Sequence, residues 1–281
     1  MSEYPSKVYL NGKILHSEDA KVSVFDRGFV FGDGIYEAMV QVNGRLLLKE
    51  AHIERLNEGL KKTRIKFNSS GLDNEISLLL KESGLEKSDC LVYLQITRGI
   101  APRKHSFPSD TSPTVMMYAK SFDLPGINPI HAHVVTVPDQ RWLRCDIKMI
   151  SLIGNVMAND TASSQGAYEA VLVRDGRITE GSHSNIFFVK DKVVYTHPAN
   201  EFILNGITRK ATLKMCEELG IEVKLEPIPE NEITQMDEAF LSGTTTQIAS
   251  IKQIDDHNYY ANDQAGPITK KLQQAYYELK K

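Results

Sequence analysis

Lys148 is followed by MISLIGNVM, a run without a charge. A lysine in an apolar, strand-like segment is costly to keep protonated, which favours the neutral, nucleophilic amine. The same placement also fits a strand-edge lysine whose head reaches water. Two other segments are suited to a phosphate. Asn205-Gly206-Ile207-Thr208 leads into a helix, so free backbone N–H groups and the Thr208 hydroxyl converge at the positive end of its dipole. Ser242-Gly243-Thr244-Thr245-Thr246 lies between two strand patterns, and a hydroxyl-rich glycine turn can form a small anion nest. Each alone also reads as an ordinary cap or turn. Together they describe a phosphate held by amides and hydroxyls without a P-loop lysine. Glu180 ends a strand and opens the turn GSHSN, where it either faces a site or caps the turn. Arg103 and His105, in APRKHSFP, lie on a proline-flanked loop, and that pair suits a carboxylate or a plain exposed charged loop. Arg55, beside the apolar Leu56 of a helix, either reaches an anion or belongs to a solvated face.

Other signals fail. Gly28-x-x-x-Gly32-x-Gly34 has the wrong spacing for a dinucleotide loop, and strand-like residues follow where a helix is needed. His131-x-His133 has no third metal ligand at a sensible spacing, and an alternating strand explains it better. No metal is expected.

The elements that must position these residues follow from periodicity. Asn11-Gly12 and Asn43-Gly44 sit between apolar alternations, the strongest short hairpin signal. Helical spacing predicts helices over 50–64 and 72–80, and buried strands over 90–97 and 114–119. Residues 121–129, SFDLPGINP, break all periodicity and read as a linker. Strands are expected at 131–137, 168–174, 177–179, 185–189, 193–196, 239–242 and 248–254. A capped helix should run from Thr208 to Gly220, and Pro267 should open a last one. Strands outnumber helices and come in hairpins, so the class is α+β with mainly antiparallel sheets and flanking helices. We expect a smaller N-terminal α/β domain over 1–120, the linker, and a larger C-terminal domain over 130–281 that carries Lys148.

Composition bounds the function. The 281 residues are 41% hydrophobic and 25% charged, enough for a substantial core. A net charge of −3 without a basic block argues against nucleic acid. No apolar run is long enough to span a bilayer, and MSEYPSK lacks the start of a secretory signal. Three widely spaced cysteines suit a reducing compartment, so a cytoplasmic location is expected.

Taken in order, RGFVFGDGIYE (27–37), EAHIERL (50–56), TRGIAPRKH (97–105), RWLRCDIK (141–148), GAYEAVL (166–172), TEGSHSN (179–185), NGITR (205–209) and DEAFLSGTTTQI (237–248) resemble the class IV, fold-type IV pyridoxal-phosphate aminotransferases, and within them the bacterial D-amino-acid aminotransferases. The resemblance implies that Lys148 forms the Schiff base with pyridoxal 5′-phosphate and then shuttles the proton. It implies that Glu180 pairs with the pyridine nitrogen, and that Arg55, Ile207, Thr208 and Thr244 hold the phosphate. Tyr36, Arg103 and His105 would form the substrate carboxylate trap, the Arg-x-His pair reaching in from the other subunit of a homodimer. The activity implied is ping-pong transamination between a D-amino acid such as D-alanine or D-glutamate and a 2-oxo acid. Aminodeoxychorismate lyase and branched-chain aminotransferase share the fold and are the alternatives, and a cofactor-free binding protein is the reading from another class. His183 departs from the pattern, which usually has a small residue in that turn.

Overall fold

The computed structural model describes residues 4–127, 130–260 and 262–281. Asn11 and Gly12 have φ of 48° and 87°, and Asn43 and Gly44 of 50° and 77°, the left-handed pair that a two-residue hairpin turn demands. They fold β1 (Lys7–Leu10) onto β2 (Lys13–His16) and β3 (Gly34–Val42) onto β4 (Arg45–Leu46). With β5 (Cys90–Thr97) and β6 (Thr114–Ser121) these form an antiparallel sheet in the order β2-β1-β6-β5-β3-β4. The short helix α1 (Arg27–Phe31) precedes β3. Helices α2 (Lys49–Thr63) and α3 (Leu72–Glu82) lay Leu56, Leu60, Ile76 and Leu79 against Ile35, Met39, Val92 and Leu94 of the sheet, one apolar cluster.

The chain divides into two units. One is the chain up to Leu124 together with Ile147–Ser151, the other is Pro125–Asp146 with Leu152–Lys281. Residues 128 and 129 of the expected linker lie outside the described residues. Lys148 is thus not carried by the body of the second unit, where its place in the chain puts it. Its segment runs beside the start of β3: Tyr36 N donates to Lys148 O at 3.0 Å, Ile150 N to Gly34 O at 3.1 Å, and Ser151 Oγ to Gly32 O at 2.9 Å. Backbone pairing at long sequence distance decides its place, and no local pattern encodes that.

The second unit holds β7 (His131–Pro138), β8 (Glu169–Arg174), β9 (Arg177–Gly181), β10 (Asn185–Lys190), β11 (Val193–Tyr195), β12 (Val223–Lys224), β13 (Glu238–Gly243), β14 (Gln247–Ile254) and β15 (His257–Asn258). Its order is β12-β11-β10-β13-β14-β7-β8-β9, with β15 on β14. The sheet is mixed: β7 runs parallel to both β14 and β8, and β11 parallel to β12. Val134, Val171, Ile186, Leu241 and Ile251 lie in one of its apolar clusters. Helices α4 (Ile153–Ser164), α5 (Ile207–Glu218) and α6 (Pro267–Lys280) flank it. Helix α5 starts one residue before the expected Thr208, with Gly206 as N-cap and no side-chain cap. Helices α1 and α4 have no clear apolar stripe in the sequence, because Ile153, Val156 and Met157 of α4 are exposed. No helix among the described residues is long and apolar enough to cross a membrane.

Candidate active site

Side chains alternate along β3, so Ile35, Glu37, Met39 and Gln41 point into the core and Tyr36 to the other face. A carboxylate in that register must be paired, because burying it alone is very costly. Arg55 of α2 donates to Glu37 through Nε at 2.7 Å and Nη2 at 2.8 Å, and His52 Nδ1 donates to the same carboxylate at 2.7 Å. Burial pushes the Glu37 carboxyl up, but these bonds outweigh it and hold it at about 2. Burial pushes His52 below its ordinary value, against the pull of the Glu37 carboxylate. Arg55 is therefore buried and fixed, not on a solvated face. Tyr36 is half-buried and stacks on Tyr93 at 5.6 Å, and Tyr93 on Tyr118 at 5.0 Å. The Lys148 amine lies 4.2 Å from the centre of the Tyr36 ring, and among the described residues it has no carboxylate at ion-pair distance. Arg103 and His105 are exposed on the loop after β5, both against the ring of Phe31.

In the second unit, Glu180 at the end of β9 is buried and held from three sides. Arg141 Nη1 donates to Oε1 at 2.5 Å, Asn185 Nδ2 to Oε2 at 2.9 Å, and Leu204 N lies 3.0–3.1 Å from both oxygens. Asp139 fixes Arg141 in turn through Nε and Nη2, each at 2.9 Å. Burial lifts the Glu180 carboxyl to about 7 despite the guanidinium beside it. Asn185 ties this acid to the start of α5: a Cβ added at Gly206 would lie 2.2 Å from Asn185 Oδ1. The first amides of α5, those of Ile207 and Thr208, thus open beside the Glu180 turn. The 243–246 turn joins them from β13, since a Cβ added at Gly243 would lie 3.6 Å from Ser184 Cβ. Glu169, fully buried, clamps the turn between β9 and β10, accepting from His183 N at 2.6 Å, Ser184 N at 3.0 Å and Ser184 Oγ at 2.9 Å. The His183 imidazole is half exposed, with Nδ1 3.3 Å from Glu169.

Glu180, Ile207, Thr208 and Thr244 therefore fall on neighbouring turns of one unit, and Lys148 meets Tyr36 in the other. Glu37, His52, Arg141, Asn185 and Glu169 were not picked out from the sequence. A signal existed for Glu37, a charge in the apolar register of Ile35 and Met39. For Arg141 there was none, since its partner lies 39 positions away.

The sequence matches the model of the family "Amino-transferase class IV" over residues 34–254, and the chain belongs to that family. It is 40% identical to a D-alanine aminotransferase of Staphylococcus epidermidis over 96% of each chain. It is 37% identical to a D-alanine aminotransferase of Bacillus licheniformis, over 96% of this chain and 95% of that one. The branched-chain amino acid aminotransferase of Escherichia coli has the same fold, with a TM-score of 0.87 at 24% identity over 98% of this chain and 94% of that one.

Class IV aminotransferases depend on pyridoxal 5′-phosphate. The residues present fit that group. The first turn of α5 has no side-chain cap on its amides, and Gly206 lets the Asn185 amide pack against that turn. Ser242 Oγ, at the root of the 243–246 turn, is buried without a hydrogen-bond partner. Glu180 is a buried carboxylate with both oxygens fixed, and among the described residues Lys148 has no carboxylate at ion-pair distance.

Proposed function

We propose that this chain is a D-amino-acid transaminase that moves the amino group of a D-amino acid such as D-alanine or D-glutamate to a 2-oxo acid by a ping-pong mechanism. The identity to D-alanine aminotransferases over 96% of the chain carries this reading, together with the Arg-x-His pair at 103 and 105. Lys148 carries the cofactor and, once released, is the base that takes the Cα proton. Glu180 accepts from the ring nitrogen, its oxygens fixed by Arg141, Asn185 and Leu204 N. The α5 amides of Ile207 and Thr208, the Thr208 and Thr244 hydroxyls and Arg55 hold the phosphate. Tyr36, Arg103 and His105 bind the substrate carboxylate. When bound, the cofactor ring supplies the electron sink for the pair left at Cα.

The active form in this reading is a cytoplasmic homodimer in which the 103–105 loop serves the other subunit. The exposed apolar residues Ile153, Val156 and Met157 on α4 support association, as do Val22, Val24, Phe25 and Phe29 in the first unit.

The test is the visible spectrum of the purified protein before and after D-alanine, without an oxo acid. The cofactor band should fall with D-alanine and return with pyruvate. A band that ignores D-alanine and falls with L-leucine would move the chain to the branched-chain group. A band inert to both would favour the lyase.

A further inference from the structure

Arg27, Asp33 and Arg98 of the first unit are charged and buried, and none has a part in the roles above. Asp33 accepts from Arg27 Nε at 2.7 Å and from Arg98 Nε and Nη2 at 2.8 and 2.9 Å. Such a cluster is expensive to desolvate, and both arginines grip the same loop. Arg98 lies 3.7 Å over the ring of Phe107. Arg27 Nη1 donates at 2.7 Å to the carbonyl of Lys104, the residue between Arg103 and His105. Phe31 gathers the same group: Arg27 lies 4.7 Å from its ring centre, Arg103 5.0 Å, and the His105 ring 5.8 Å. The root of the loop is also fixed. Arg27 N donates to Gly99 O at 2.9 Å, and Gly99 has φ +93° with Ser112 O only 1.9 Å from where a Cβ would stand.

We propose that Asp33, Arg27 and Phe31 are positioning residues for the substrate carboxylate. Asp33 sets the fork of Arg27, Arg27 pins the Lys104 carbonyl, and Phe31 is the platform on which Arg103 and His105 rest. Two long side chains on an exposed loop lose rotamer freedom when they close on a ligand, and a loop fixed beforehand loses less. This inference rests on the reading of Arg103 and His105 as the carboxylate pair.

The experiment compares the holoenzymes of Arg27→Gln, Phe31→Leu and Arg103→Ala for KM toward D-alanine and pyruvate, kcat, and cofactor content by visible absorbance. Arg27→Gln leaves Asp33 paired with Arg98 and removes the Lys104 bond. Its KM for both substrates should rise about tenfold, the size of one charge-assisted hydrogen bond, with kcat within about twofold and cofactor content unchanged. Phe31→Leu keeps the apolar volume and should raise KM about threefold, a fraction of a kcal/mol of ring contact. If Arg27→Gln does not fold, Phe31→Leu decides. An unchanged KM in both while Arg103→Ala raises it overturns the positioning role and leaves the carboxylate reading standing. Loss of cofactor in Arg27→Gln overturns the positioning role too. An unchanged KM in Arg103→Ala overturns the carboxylate reading itself.

Discussion

Glu37 and Glu180 are both buried carboxylates, yet they titrate in opposite directions. Glu37 meets two donors side by side, Arg55 and His52, and falls from the ordinary 4.5 to about 2. For Glu180 burial outweighs its partners, and it rises from 4.5 to about 7 in spite of Arg141. The lowered group contributes stability that is present above 4.5 and lost as pH falls through about 2. The raised group contributes stability that is present below 4.5 and lost as pH rises through about 7. Thermal denaturation of the cofactor-free protein against pH should show both. Glu180→Gln should flatten the loss between pH 4.5 and 7, and Glu37→Gln the loss below 4.5. Lys148→Ala is expected to keep the fold and abolish both the lysine–cofactor bond and turnover, and near wild-type turnover would overturn the lysine's role. At this scale residue types marked Lys148, Glu180 and the Thr208 and Thr244 segments only as candidates, each open to a plain structural reading as well. The same held for Arg55, because whether a helix arginine is solvated depends on what the neighbouring strand presents to it.

The start of α5 is the element on which the phosphate reading turns. Gly206 has φ −59°, so its backbone would accept alanine without strain. The obstacle is space: the new Cβ would stand 2.2 Å from Asn185 Oδ1 and push that amide off Glu180. Gly206→Ala should therefore keep helix content by circular dichroism and weaken cofactor affinity at least tenfold, about the loss of one good hydrogen bond to a charged group. Unchanged affinity in a fluorescence titration of the apoprotein would remove α5 from the phosphate site. Elements with a strong period were legible: β5 spans the predicted 90–97, and α2 the predicted helix to within one residue. Helix α4 was not, because its exposed side is as apolar as its buried one.

For the whole molecule the testable claim is association. Ile153, Val156 and Met157 are 72, 57 and 58% exposed on one stretch of α4. A Val156→Asp, Met157→Asp double variant should sediment as a monomer and lose most of its turnover while remaining folded. A dimeric, active double variant would place the interface elsewhere or remove it.

The sequence by itself determined the family and the hairpins, and it offered the candidates for the chemistry. Those depend on residue type, on turns that Asn-Gly makes without strain, and on an order of motifs along the chain. Only the tertiary structure decided that 147–151 pairs with β3, that β7 runs parallel to β14, that Arg55 is held by Glu37 and that Arg27 grips the carbonyl between Arg103 and His105. Each of these is a pairing across a long stretch of chain. Its free energy comes from burying and satisfying two distant groups at once, and neither group announces the other in its local pattern.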